Sequence, residues 1–501
     1  MSDTVTVPHR RLITASVMLA MFIQTLDSTI SIVALPYIQG TMSASHDEIS
    51  WVLTSYVIAA AIFTAPVGWM AQRFGRKRLF LICLGGFLCM SMLSGASQSL
   101  EQLITFRIIQ GMFGAALAPM CQATMLDIYP FSQRAQAMAV FAMEITLGPT
   151  MGPTLGGWLT ETYNWRWVFY VNIAPGLLAF AGVLIFLPRV PPRTNMTCSW
   201  YGFAMLGLAA GTFQLMLDRG QTQDWFNSRE IIITATICGL CFYLFIVHMI
   251  TAERPFLPLA LFKDRNFFAG IIMVACVSSL MLSTASLMSP FLQQLGRYPV
   301  LDSGIAMAPR GFGTMIAMFV ASWLARFFDQ RKIMASGLLA LGLAMTIMSR
   351  WTPDVTQIEM MAVLFLQGFS IGLVFNPMTV MAYTTLSPSL RPEATAVQSL
   401  ARNLGSAIGI SVTTFTLTRG TQVAHADVSA GITPFERMLQ LGDAASRYLD
   451  PATRKGAALL DQMVTYQARI ISYNNDFALM AFAVVPPLIL LLFMRRAPRT
   501  G

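Results

Sequence analysis

Charge is scarce in this chain: 11% of its 501 residues are Asp, Glu, Lys or Arg, against about 25% in a soluble globular domain. So few charges cannot clothe a water-facing surface of ordinary size. Histidine is equally thin, four residues at positions 9, 46, 248 and 425, too scattered to gather a metal or a catalytic constellation. No Walker loop, HExxH or GxSxG stretch occurs, which removes nucleotide-driven transport and leaves a membrane-embedded enzyme without support. The seven cysteines, at 83, 89, 121, 198, 238, 241 and 276, leave the polar segment after residue 418 without one, so no disulfide framework is expected. Cys238 and Cys241 have CxxC spacing inside an apolar run with no further ligands; they read as small packing residues rather than a metal site. No metal and no cofactor are expected. No cleavable signal peptide is expected either, because the first apolar run continues past Ile30 without a small-residue cleavage site.

What the chain has instead is apolar length. Hydrophobic residues make up 55% of it, in blocks of about 17 to 25, the length a helix needs to cross roughly 30 Å of hydrocarbon. Barrel strands would alternate apolar and polar residues, and segments such as Trp200 to Leu217 or Ile231 to Ile250 do not. The expected fold class is therefore an all-α polytopic membrane protein. Fourteen spans are expected, near 12–36, 49–71, 79–98, 101–123, 137–159, 165–187, 200–217, 231–250, 267–292, 304–326, 333–350, 358–385, 394–418 and 476–494.

The net charge of +9 is explained by topology rather than by nucleic acid. With the N-terminus inside, nineteen Lys and Arg fall in the inner segments, whereas the short outer loops hold Arg166, Arg219, Arg229, Arg297 and Arg350. The positive-inside rule then places both termini in the cytoplasm.

An internal repeat divides the chain. GWMAQRFGRKRLF, Gly68 to Phe80, aligns with SWLARFFDQRKIM, Ser322 to Met334, at an offset of 254. Gln110-Gly111 aligns with Gln367-Gly368 at an offset of 257, followed by Arg134 with Arg391 and Ala137 with Ala394. Six spans with loops occupy 12–187, so these offsets leave room for two additional helices between the halves. The expected organisation is a six-helix bundle over 1–190, two additional central helices over 191–260, and a second six-helix bundle over 261–501. A long extramembrane loop at 419–475 belongs to the last unit. Parallel halves with a site between them at the bilayer midplane are a transporter layout.

The motifs resemble those of the fourteen-helix drug:proton antiporter branch of the major facilitator superfamily, close to EmrB-type exporters. The resemblance covers nearly the whole chain. LDSTISIVALP, Leu26 to Pro36, is similar to the first-helix motif, and RIIQGMFGAA, Arg107 to Ala116, to the fourth-helix motif. GPTMGPTLGGW, Gly148 to Trp158, resembles the antiporter signature of the fifth helix; WRWVFYVN and LDRGQTQDWFNS also match. Gly68, Arg73, Gly75, Arg76 and Lys77 stand as in the superfamily's loop motif, but Gln72 occupies a place usually held by Asp. Any charge network that depends on an acid there is thereby put in question. The resemblance implies a proton-driven exporter of lipophilic drugs or toxic small molecules in a bacterial inner membrane. It also implies a periplasmic membrane-fusion adaptor and an outer-membrane channel as partners. The alternative on the same scaffold is a proton-coupled importer of a nutrient or metabolite.

Independently of that resemblance, Gly148, Gly152 and Gly156 recur every four residues, with Gly157 beside them. They form one small face on which a second backbone can lie, while Pro149 and Pro153 bend the helix. This face reads as a gate, or more plainly as packing. Ionisable residues inside a span cost about 2.5–3.5 kcal/mol on insertion scales, so each is a functional candidate. Asp27 and Arg107 lie at similar depth, and movement of one from the other would capture or release a proton; a permanent structural pair is the alternative. Glu144 and Arg402 form a second possible layer, for substrate or a second proton. Arg310, near the outer end of its span, would either attract an anionic substrate or anchor a loop. Some of the 34 Phe and 34 Met residues are expected to line a deformable apolar cavity. In the loop 419–475, Leu459, Met463, Tyr466 and Ile470 have helical spacing and form a candidate apolar stripe. Pro434 to Tyr448 shows similar spacing.

Overall fold

The computed structural model describes residues 8–130, 133–189, 199–252, 256–352, 354–387, 390–431 and 453–494, and among these every regular element is helical. The first half contains α1 (Arg10–Met42), the bent pair α2 (His46–Thr64) and α3 (Val67–Phe74), and α4 (Arg76–Ala96). Next come α5 (Leu100–Gly114) running into α6 (Leu117–Ile128), then α7 (Arg134–Thr162), and the short α8 (Trp167–Tyr170) leading into α9 (Ile173–Phe186). α10 (Trp200–Arg219) and α11 (Arg229–Thr251) follow. After the single turn α12 (Ala260–Lys263), the second half comprises α13 (Arg265–Pro290), α14 (Val300–Leu324), α15 (Gln330–Met348) and α16 (Gln357–Thr384). It ends with α17 (Arg391–Gly431), α18 (Arg454–Phe482) and α19 (Val485–Phe493).

Among the described residues, eleven helical rods are long and apolar enough to cross a bilayer, twelve if α2 and α3, bent by 59°, form one span. α7 and α17 stand outside that set because they carry polar and helix-weakening residues through their length. Gly148, Gly152 and Glu144 interrupt α7, and Gln398, Arg402 and Asn403 interrupt α17. Both helices touch the opposite half of the molecule, α7 against α14 and α16, and α17 against α3 and α6. A helix facing protein rather than lipid can hold such groups.

Helix starts are set by short polar side chains. Ser45 caps α2 in a reciprocal box with Glu48, whose carboxyl the Ser45 backbone bond, and then its hydroxyl, hold below the usual value. The side chains of Asp264, Asp329, Thr356 and Thr453 accept from backbone N–H groups at the starts of α13, α15, α16 and α18. Gly75 takes φ 85 between α3 and α4, a left-handed value that favours glycine and turns the chain sharply.

The repeat read from the sequence is present in the packing. A side chain at Gly111 would strike the Tyr56 backbone, and one at Gly368 would strike the Arg310 backbone. Similarly, Gly148 and Gly152 of α7 press on Thr25 and Thr29 of α1, whereas Gly405 and Gly409 of α17 press on Ala275 and Ser279 of α13. Small residues let these backbones approach closely, which is how helices associate where no hydrophobic drive exists. The two halves thus repeat the same crossings.

α10 and α11 are central in the chain but lie at the rim in space. α10 rests on α2, with Gly207 and Gly211 against Ile62, and α11 lies outside α10. Ile233, Leu240, Tyr243 and Ile250 of α11 are exposed, as suits a lipid-facing surface. Beyond the expected span ends, α17 continues from 418 to Gly431 and α18 begins at Arg454 rather than near 476. Much of the expected loop is therefore helical. A His425 to Asp461 contact of 3.0 Å joins the two extensions. The expected apolar stripe is divided. Leu459 and Met463 are exposed, but Ile470 is buried and the Tyr466 hydroxyl donates to the Leu295 carbonyl. Pro434 to Tyr448 lies outside the described residues.

Candidate functional site

Asp27 and Arg107 meet, as their depths suggested. Both are fully buried, and Arg107 Nη1 stands 2.6 Å from Asp27 Oδ2. The carboxylate's other oxygen accepts from Gln110 Nε2 at 3.1 Å and Asn172 Nδ2 at 2.8 Å. Arg107 is held in turn by the Val52 carbonyl and Gln110 Oε1, and its guanidinium lies 4.3 Å from the Tyr56 ring centroid. Asn172 also donates to Ser91 Oγ, which donates to the Phe169 carbonyl. The acid is thus contacted from α5 and from the α8–α9 turn. A buried ion pair persists only when its remaining donors and acceptors are matched in this way. Asn172, Tyr56 and Ser91 were not singled out from sequence as site residues, and Gln110 was noted only for the repeat. Gln110 was legible, since it stands three residues after Arg107 and so on the same helical face.

The small face of α7 bears on this same helix. Gly148 and Gly152 contact Thr25 and Thr29, which flank Asp27, and Thr29 Oγ1 donates to the Gly148 carbonyl at 3.2 Å. Gly156 lies against Ile30 and Gly157 is buried; Pro149 and Pro153 fall within α7, their side chains outside the described set. On its other side α7 meets the second half, where Gly304 of α14 faces Thr154. One helix therefore touches both the acid-bearing α1 and the opposite bundle.

Glu144 and Arg402 do not form an ion pair among the described residues. Glu144 is buried with Oε1 unpartnered, while Arg402 donates to Ser399 Oγ and its guanidinium lies 5.9 Å from the Phe141 ring centroid. Arg310 is buried, ten residues or about 15 Å along α14 from its start at Val300. Asp476, missed from sequence because it opens a span, is buried and accepts from Thr416.

At the face bearing the Gly68 to Lys77 loop, polar bonds cross between the halves. Gln72 Nε2 donates to the Glu393 carboxylate in the first turn of α17. Asp127 receives Arg76 at 2.6 Å from its own half and Arg391 at 3.4 Å from the other. Deeper in, Gln122 donates to Gln398, which also accepts from the Tyr383 hydroxyl. Gln72 thus does not abolish a charge network; the acids come from Asp127 and Glu393. Lys77 is pushed below its usual value by burial and by Arg189. Among the described residues no cluster of His, Cys, Asp and Glu is disposed to hold a metal.

Two repeated helical halves in lipid, a buried acid–arginine pair, and a glycine-faced helix touching both halves define a secondary transporter. Residues 17–410 match the family model described as Major Facilitator Superfamily. The chain belongs to that superfamily, in its subfamily of bacterial multidrug exporters. It is 32% identical over 488 residues to the multidrug export protein EmrB of Haemophilus influenzae, covering 97% of this chain and 95% of that one. The fatty acid resistance protein FarB of Neisseria gonorrhoeae is 30% identical, covering 93% of this chain and 92% of the relative. Among solved structures, the human organic anion transporter MFSD10 matches with a TM-score of 0.62 at 14% identity. That match covers 97% of this chain and all of the other, and it speaks for the fold alone.

Proposed function

We propose that this chain is a proton-driven antiporter that expels lipophilic compounds across a bacterial inner membrane. Asp27 carries the proton, Arg107 is its partner, and the α7 glycines transmit the movement. The observation that carries this reading is the contact of Gly148 and Gly152 with the two threonines flanking Asp27. A buried pair exchanges protons with water only when its helices part, and α7 cannot shift against α14 without disturbing α1. The spans number fourteen, as six, two and six over 1–190, 191–260 and 261–501, a reading supported by counting α7 and α17 with the twelve apolar rods. The basic loop face lies in the cytoplasm, with both termini, by the positive-inside rule. Inverted vesicles test the reading: an imposed pH gradient should drive uptake of a lipophilic dye, and a protonophore should abolish it. Uptake indifferent to the gradient would remove proton drive.

Glu144 acts in selection. Its buried carboxylate with an unpartnered oxygen can meet a cationic group on a substrate. Glu144→Gln is expected to reduce efflux of lipophilic cations about tenfold while changing neutral compounds less than about twofold. Equal losses across charge classes would count against this role.

The extensions of α17 and α18 form the docking surface for a periplasmic membrane-fusion adaptor that leads to an outer-membrane channel. Support comes from the similarity to EmrB and from the exposed Leu459 and Met463 on a helix tied to its neighbour through His425 and Asp461. Replacing residues 425–463 with a Gly/Ser linker should leave vesicle transport intact and reduce adaptor co-purification to background. Undiminished capture would place docking elsewhere.

A further inference from the structure

We propose that Arg310 and Gln367 form a buried site for the carboxylate of a lipophilic anion, in the second half at the place where the first half holds its proton pair. The inference rests on the export reading above, and names a substrate class for it. The repeated glycine crossings set the correspondence. Gly111 on Tyr56 and Gly368 on Arg310 put Arg310 in the position of Tyr56, whose ring lies beneath the Arg107 guanidinium. Gly148 on Thr25 and Gly405 on Ala275 align α13 with α1, which puts Val277 in the position of Asp27. At the α5 to α16 offset Leu364 replaces Arg107, and Gln367 replaces Gln110.

The second half has therefore lost the acid and its arginine, kept the glutamine, and gained an arginine from a neighbouring helix. The consequences are visible in the bonding. Gln367 is fully buried, and neither its Nε2 nor its Oε1 has a partner, whereas Gln110 spends both on Asp27 and Arg107. Arg310 is 6% exposed; one Nη donates to the Met281 carbonyl, and its Nε is unpartnered. Among the described residues no carboxylate pairs with it. A buried guanidinium without a counter-ion, and a buried amide with free donors next to the glycine that packs on the Arg310 backbone, are costly unless something fills them. Arginine's planar fork suits a carboxylate. Arg310 lies about 15 Å along α14 from its Val300 end and is enclosed by protein, which shields it from a lipid headgroup phosphate. The occupant is an anion carried inward on an apolar body.

The test is equilibrium binding of dodecanoate, with dodecanol as the neutral match, to the purified full chain in detergent, read by quenching of tryptophan fluorescence. Arg310→Gln should weaken dodecanoate at least about tenfold and leave dodecanol within about twofold, and Arg310→Lys should recover part of the loss. Gln367→Leu removes an unpartnered amide, so it should fold at least as stably as the native chain while weakening dodecanoate about threefold or more. Dodecanoate affinity within twofold of native in both Arg310→Gln and Gln367→Leu would overturn the site. Parallel loss of dodecanol in both variants would overturn it equally, as would saturation by chloride alone at millimolar concentration. Because binding is read without a gradient, failure of proton-driven export leaves this result readable. Conversely, intact export with unchanged anion binding defeats the anion site alone.

Discussion

Asp27→Asn is expected to lower pH-gradient-driven efflux to the level of vesicles lacking the protein, while insertion persists. Asparagine keeps the size of aspartate and can still accept from Gln110 or Asn172, but it cannot take up or release a proton. The substitution also leaves Arg107 without its counter-ion at a fully buried position. Breaking one side of a buried pair costs about 3–5 kcal/mol, so loss of stability alone must be separated from loss of titration. The double variant Asp27→Asn with Arg107→Gln does so. It removes both charges, should recover thermal stability relative to the single change, and should remain inactive. Native efflux in Asp27→Asn would instead assign the proton to another buried acid, with Glu144 and Asp476 the next to examine.

Gly148→Val is expected to cut transport by at least about tenfold. The new methyl groups would meet both the side chain and the backbone of Thr25, so α1 must move off α7. Overpacking of this kind costs about 1–3 kcal/mol even where the surroundings yield. Gly405→Val supplies the comparison, since it places the same bulk at the matching crossing of α17 on α13. Thermal shifts of the two variants should be similar, because the crossings are built alike. Proton coupling should suffer more in Gly148→Val, because only α1 carries an acid between its contacting threonines. Equal coupling in the two variants would reduce the α7 face to packing.

The helices were legible because a span in lipid needs an apolar length that few other structures require. The Asp27–Arg107 pair was legible for the complementary reason, since so few charges lie in the spans that two at similar depth stand out. Helix ends were less so. The start of α14 was set at 304 rather than at Val300 because the preceding proline marks no apolar run, and α18 was cut short because Arg454, Lys455, Asp461 and Arg469 interrupt its apolar residues before 476. The cross-half bonds of Gln72, Asp127 and Glu393 could not be read from one strand of sequence, because they join residues hundreds of positions apart. The orphaned state of Gln367 was equally hidden. It depends on what Val277 and Leu364 fail to offer, and an absence of partners shows only once the helices are packed.

The most direct measurement of the central claim is proton movement driven by substrate, with no gradient imposed at the start. Proteoliposomes enclosing a pH-sensitive dye are given a lipophilic substrate on one side only, and the internal pH is followed. Antiport through Asp27 predicts protons moving against the substrate's direction in the native protein and no proton movement in Asp27→Asn. Protons moving with the substrate, or an equal signal in the Asp27→Asn variant, would contradict it.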